Sequence, residues 1–243
     1  MAKVYGTNTV FEALNLNRVR KVYLLEGYSN EKMLKLINSK NLPVVYLRRN
    51  ELDLMVKGNH QGIVASVKNL EPVSLESLIK KADGVELPVL IILDGLKDPH
   101  NLGSILRSAD IFSAQGVIYK KKNSVSLDET VEKISTGAAN YVPCCEVTNL
   151  TNTIKELKRN GYWVVGFEGE ATQELTDIPK DVKLAIVIGS EGEGISRLVK
   201  ENCDILLKIP MAGHGHINSL NASVACSIAL YEIRRNCLNG DGK

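Results

Sequence analysis

Nothing in this sequence pairs cysteines or gathers metal ligands. Its five cysteines, Cys144, Cys145, Cys203, Cys226 and Cys237, are an odd number with no Cys-x-x-Cys pair and no neighbouring histidine cluster. That usage supports neither a disulfide framework nor a zinc site, and a reducing cytoplasm is the expected compartment. No apolar run approaches the roughly 20 residues that cross a bilayer. The opening MAKVYGTNTVFEAL also lacks the apolar stretch of a secretory leader, so no membrane partner is expected. Internal repeats and low-complexity tracts are absent. The GK[ST] ending of a triphosphate-binding loop is missing, and so is the GxGxxG dinucleotide fingerprint.

What remains is an ordinary globular composition, 44% hydrophobic and 24% charged over 243 residues, enough to bury a sizeable core and long enough for two modest domains. The net charge of +2 hides an asymmetry: residues 1–70 carry 11 Lys and Arg against 5 Asp and Glu, and the remainder 19 against 23. A polyanion-binding module joined to a near-neutral catalytic domain has this distribution, because phosphate neutralisation supplies most sequence-independent affinity for nucleic acid. A solvated basic surface has it equally.

Residues 1–70 alternate short patterns: helices over 8–15, 31–39 and 51–56, strands over 21–26, 44–48 and 62–68. Arg18, Arg20, Lys21, Arg48 and Arg49 fall at the predicted strand entrances and exits, where loops could present them to RNA. The stretch 71–88 is polar, has prolines near both ends and contains the turn signal Asp83-Gly84, which reads as a linker. From residue 89 to the end the alternation lengthens, with continuous apolar runs such as LIIL (90–93) and LAIVI (184–188) that predict strands buried on both faces of a mainly parallel, helix-covered sheet. The fold class is α/β, and ligands of such sheets bind at the carboxyl ends of the strands.

Three motifs fall at those ends. LDGLKDPHNLGSILRSAD sets Asp94, Asp98, His100, Asn101 and Arg107 around a strand-to-helix turn, and an arginine on so apolar a helix needs a partner if buried, either a carboxylate or a polyanionic substrate. IVIGSEGEGIS runs a buried strand into Gly189, Gly192 and Gly194, where bare backbone can approach a ligand, while Glu191 and Glu193 would repel phosphates. IPMAGHGHINSLNASVACSIALYEIRRN passes from a strand through a polar loop to a helix whose start, at Ser219 to Asn221, suits capping whatever else it does.

Together, in this order, the three motifs resemble the SpoU/TrmH family of the SPOUT methyltransferases over nearly all of 87–235, and the N-terminal unit resembles the ribosomal-protein-L30e-like substrate-binding domain of the branch that methylates a guanosine of 23S ribosomal RNA. The resemblance implies a deep trefoil knot in the C-terminal SPOUT domain, an exception among folds. It also implies a homodimer and S-adenosyl-L-methionine as methyl donor. Gly189, Ile209 and Leu220 would contact the cofactor, with Gly192, Gly194 and Met211 shaping its pocket. Asn101, Arg107, Glu191, Ser219 and Asn221 would be the polar active-site residues. A guanidinium, with a pKa above roughly 12, is a poor general base, which favours an orienting and charge-stabilising part for Arg107. In one place the chain departs from its relatives: Gly213 is followed by 214–218 before Ser219, a longer connection carrying His214 and His216. Two histidines without further ligands do not make a metal site, and none is expected. Two other readings stay open, the same chemistry on tRNA or another ribosomal RNA site, and a non-catalytic RNA-binding or ribosome-assembly protein on the same fold.

Overall fold

The computed structural model describes residues 2–213 and 219–238. Its first unit runs β1 (Ala2–Tyr5), α1 (Thr7–Asn15), β2 (Val19–Leu25), α2 (Glu31–Ser39), β3 (Val44–Leu47), α3 (Arg49–Met55) and β4 (Ile63–Val67). The strands lie in the order β1-β4-β2-β3, with β4 antiparallel to both neighbours and β3 parallel to β2. Every residue of β4, IVASV, is buried. Ile63, Ala65 and Val67 meet Val10, Leu14, Met33 and Ile37 of α1 and α2, while Val64 meets Leu52 of α3 on the other face. Strand β1 was not anticipated. Four residues followed by Gly6, which sits at φ +85°, are too few for an alternation to register, and its place comes from pairing with the distant β4, Ala2 opposite Val67.

The second unit continues with α4 (Leu75–Ala82), β5 (Val89–Asp94), α5 (Pro99–Ile111), β6 (Gly116–Lys120), α6 (Glu129–Ile134) and β7 (Cys144–Val147). There follow α7 (Leu150–Arg159), β8 (Tyr162–Phe167), β9 (Gln173–Glu174), β10 (Lys183–Gly189), α8 (Arg197–Lys200), β11 (Ile205–Lys208) and α9 (Ala222–Leu238). Seven strands form one sheet in the order β7-β6-β5-β10-β8-β11-β9, and every pairing is parallel. The strand period of two sorts alternate residues to opposite faces. Val89, Ile91 and Leu93 of β5 face α5 and α9, through Leu102, Ile105, Leu106, Ala229 and Leu230. Leu90 and Ile92 face α4 and α7, through Leu78, Ile79, Leu150 and Ile154. The two-sided burial inferred from the apolar runs is what the sheet shows.

The polar stretch 71–88 is more than the expected linker. Ser74 caps α4 by accepting from the Ser77 N–H at 3.2 Å, Val73 donates to Cys144 O at 2.8 Å, and Leu78, Ile79 and Ala82 are buried. Its charged residues occupy the solvent face of a short amphipathic helix, which is why composition alone reads it as a connector. The four cysteines described, Cys144, Cys145, Cys203 and Cys226, are free thiols. Burial pushes the thiols of Cys144 and Cys226 up to about 12.

The first unit docks on α6 and the 3-10 turn Ala138–Asn140. Arg18 ion-pairs with Glu132 at 2.9 Å, their side chains only 12% and 5% exposed. The same guanidinium donates to Lys68 O at 2.7 Å and to Asn140. Around it Lys3 N donates to Glu129 at 2.8 Å, Lys133 donates to the Tyr5 hydroxyl at 3.0 Å, and Tyr141 donates to Glu12 at 2.7 Å. Breaking a buried pair from one side costs about 3–5 kcal/mol, because the other charge is left without water or partner. Arg18→Ala is therefore expected to lower the unfolding free energy by about that amount in urea titrations followed by circular dichroism. A change under about 1 kcal/mol would mean that the pair is replaced by solvent.

Candidate active site

Side chains from distant parts of the chain meet where the central strands end. Asp94, the last residue of β5 and 3% exposed, pairs with Lys120 of β6 at 3.0 Å and accepts the Ser196 N–H at 2.8 Å, tying the ends of β5 and β6 to the loop that follows β10. Asp98 caps α5 by accepting from His100 N at 2.8 Å, and Pro99 fills the first helical position, where no N–H is needed. This start buries Asn101 to 6% exposure in the first turn.

Asn101, Glu191 and Asn221 form a closed triangle of hydrogen bonds. Asn221 caps α9: its Oδ1 accepts from Ser223 N at 2.9 Å and from Ser223 Oγ at 2.6 Å. With the oxygen so committed, its Nδ2 faces inward and donates to Asn101 Oδ1 at 2.9 Å and to Glu191 Oε1. Asn101 in turn must present its own Nδ2, which donates to Glu191 Oε1 at 2.9 Å. The helix cap thus fixes the orientation of both amides.

Beside the triangle lies a cleft of about 460 Å³, lined by the strand-end loops 167–170, 188–194 and 209–211 and by Ser219, Leu220, Ala222 and Ala225. The loop after β10 closes on itself, Ser190 and Gly194 exchanging backbone hydrogen bonds of 3.1 and 3.0 Å. Gly189 makes that closure possible: a Cβ on it would lie 2.2 Å from the carbonyl carbon of Gly194. Four carboxylates, Glu168, Glu170, Glu191 and Glu193, face or rim the space, and Lys200 neutralises Glu168 at 2.6 Å. The cleft is of a size for a small ligand, and its charge selects against phosphates and for a cation.

Residues 88–231 match the SpoU rRNA methylase family, and residues 3–73 match the family described as RNA 2′-O ribose methyltransferase substrate binding. The chain belongs to the SpoU methylase family. YacO of Bacillus subtilis, assigned to the TrmH family of tRNA/rRNA methyltransferases, is 44% identical over 237 residues, 96% of this chain and 94% of that protein. A Staphylococcus haemolyticus protein of the same assignment is also 44% identical over 237 residues. Among solved structures, the SpoU methyltransferase AviRb from Streptomyces viridochromogenes in complex with AdoMet is similar at TM-score 0.83 and 23% identity, over 98% of this chain and 91% of that chain, a likeness of fold. A Porphyromonas gingivalis protein assigned to the TrmH family is similar at TM-score 0.77 and 27% identity, over 97% and 90%.

Of the residues expected from sequence, Gly189, Glu191, Gly192, Gly194, Ile209, Met211, Ser219 and Leu220 all reach the wall of one cleft in this SpoU-family chain. Asn101 and Asn221 join it through Glu191. Arg107 stands apart, exposed on α5 with no partner among the described residues, about 9 Å along the helix from Asn101 at 1.5 Å per residue. It is an exposed arginine, neither buried nor salt-bridged among the described residues.

The basic set of the first unit divides. Arg18 is corrected: its guanidinium is spent on Glu132, Asn140 and Lys68 O within the chain and is not presented to a partner. Arg20 and Lys21 lie within β2 rather than at its entrance. Arg20 is exposed, and the Lys21 ammonium sits 5.2 Å from the Tyr23 ring. Arg48 and Arg49 are exposed at the start of α3. His214 and His216 lie outside the described residues.

Sequence reading passed over Glu168 and Glu170, although FEGE after β8 repeats the glutamate-glycine pattern found after β10. It also passed over the packing role of Gly103, where a Cβ would fall 2.6 Å from Ile134 of α6. Since the closed loop leaves no room at Gly189, Gly189→Ala is expected to destabilise the protein by about 1–3 kcal/mol, the usual range for overpacking. A melting temperature equal to that of the unsubstituted protein would show that the loop opens at no cost.

Proposed function

We propose that this chain transfers the methyl group of S-adenosyl-L-methionine to a ribose 2′-hydroxyl of RNA, with a guanosine of 23S ribosomal RNA as the target. The observation that carries the reading is the glycine-walled, carboxylate-rimmed cleft abutting the Asn101–Glu191–Asn221 triangle, in a chain whose family methylates RNA. The cleft suits this donor: sulfonium and ammonium groups find carboxylates, and Gly189 lets backbone of the closed loop come close. Backbone at Gly189, Ile209 and Leu220 would hold the cofactor, with Gly192, Gly194 and Met211 shaping its seat, and the cofactor would supply an electrophilic methyl carbon.

The protein's part is positioning and electrostatics. Glu191, held by two amides, is oriented to accept a hydrogen bond from a ribose hydroxyl, and Ser219, exposed at the cleft mouth, can pair with the sugar. Fixing reactants this way substitutes for entropy otherwise lost at the transition state. Arg107, without a partner among the described residues, would contact the target phosphate and steady the charge developing on the ribose oxygen. The basic residues Arg20, Lys21, Arg48 and Arg49 would hold RNA away from the reacting centre.

The reading also includes the trefoil knot, a cytoplasmic setting and a homodimer. Support for the dimer comes from α5 and α9. Ile111, Val224 and Tyr231 are 71%, 45% and 50% exposed, on helices joined by the Ser108–Ser227 hydrogen bond of 2.7 Å and the Phe112–Tyr231 edge contact. Exposed apolar side chains on two joined helices suit a subunit contact.

Calorimetry with S-adenosyl-L-methionine and mapping of ribose methylation on RNA with and without the protein test the core of the reading. Absence of cofactor binding would favour the non-catalytic alternative, and a modified tRNA would move the target. Arg107→Ala is expected to abolish transfer while cofactor affinity holds; survival within about tenfold, roughly 1.4 kcal/mol in the barrier, overturns its role. Ile111→Glu with Tyr231→Glu is expected to give a monomer in analytical ultracentrifugation, and a dimer that persists would place the subunit contact elsewhere.

A further inference from the structure

Read along the strand ends, the sheet order is also an order of charge. On the β10 and β8 side stand Glu168, Glu170, Glu191 and Glu193. On the β5 and β6 side, the loops after the strands carry Lys97, Lys121 and Lys122, all exposed, with no hydrogen-bond or ion-pair partner for their ammonium groups among the described residues. The Asn101–Glu191–Asn221 triangle lies at the seam.

These lysines ride on fixed loops. Ser124 Oγ and Val125 N both donate to Leu96 O, at 3.1 and 3.0 Å, which staples the loop after β6 to the loop after β5. Lys121 N donates to Val147 O at 2.9 Å, and the neighbouring Lys120 is already committed to Asp94. Nearby carboxylates are occupied as well: Asp98 and Asp128 cap α5 and α6. The same loop leads into α6, the helix on which the first unit docks.

We propose that Lys97, Lys121 and Lys122 form a cationic rim that grips the sugar-phosphate backbone beside the target nucleotide. The inference rests on the RNA methyltransferase reading and adds the direction of approach. Of the four carboxylates only Glu168 is paired with a cation among the described residues, so a polyanion laid across Glu170, Glu191 and Glu193 meets repulsion and reaches the triangle from the β5–β6 side, over the rim. Phosphate contacts of this kind position the strand and carry no sequence information.

The test uses the full chain carrying Lys97→Ala, Lys121→Ala and Lys122→Ala together, with an unmodified 23S rRNA transcript as probe. Lys80→Ala with Lys81→Ala is the control; it removes two exposed lysines from α4, whose end at Asp83 pairs with Lys183 at the start of β10, the end of the strands opposite the cleft. We expect the triple variant to bind RNA at least about tenfold more weakly at 0.15 M salt, and the slope of log affinity against log salt to fall by about two, as for three lost contacts to a single strand. Cofactor affinity and the control variant should match the unsubstituted protein. Unchanged RNA affinity and slope in the triple variant, or an equal loss in the control, would overturn the rim. If the unsubstituted protein methylates RNA while the triple variant does so with the same KM, only the rim fails. If the unsubstituted protein methylates none of the ribosomal or transfer RNAs, the underlying reading falls and takes the rim with it.

Discussion

Glu191 sits on the self-closed loop after β10, and two distant amides fix where its carboxylate points. Its carboxylate oxygen accepts from Asn101, at the start of α5, and from Asn221, at the start of α9, so one hydrogen-bonded triangle joins the loop after β10 to the segments that follow β5 and β11. The remainder of the site depends on it. The same three side chains settle the direction in which each amide points and tie the start of the last helix to the loop after β10. A cap that would ordinarily contribute about 1 kcal/mol to a helix here also orients the polar wall of the cleft.

The surrounding design is one of close approach. Gly189 lets the strand-end loop fold back onto its own strand, and Gly103 lets α6 press against α5. Asp94 draws three strand-end segments inward by holding Lys120 and the Ser196 amide at once. A carboxylate buried to 3% exposure is tolerated because both of its oxygens are satisfied, one by a cation and one by a backbone N–H. The charge of the cleft follows from strand order, since adjacent strands in space, β10 and β8, each end in glutamate-glycine sequences.

Much of this was legible beforehand, and the physical reason is local. The buried strands announce themselves as apolar runs because both of their faces are covered, and the three motifs mark strand ends because glycines and polar residues interrupt those runs. What stayed hidden depends on pairing at a distance. β1 exists through its ladder with β4, and β9, two residues long, through its pairing with β11. The charged helix α4 looked like a connector because only Leu78, Ile79 and Ala82 face the sheet. Arg18 looked available because nothing in the sequence ties it to Glu132, 114 residues away. Asn101 was picked out as functional through family resemblance, yet its hydrogen-bonded orientation follows only from Asn221 acting as a cap.

The docking of the first unit alters what its basic residues can do. A module on a loose tether samples many separations and adds affinity without regard to shape. Here Arg18, Tyr5, Lys3 and Glu12 fasten the small sheet to α6 and the turn beside it, so Arg20, Arg48 and Arg49 stand at a set distance from the cleft. On the proposed reading, a single RNA would engage both places only where its own fold holds two of its segments at the matching spacing, so the fixed pair of sites would gauge geometry rather than letters.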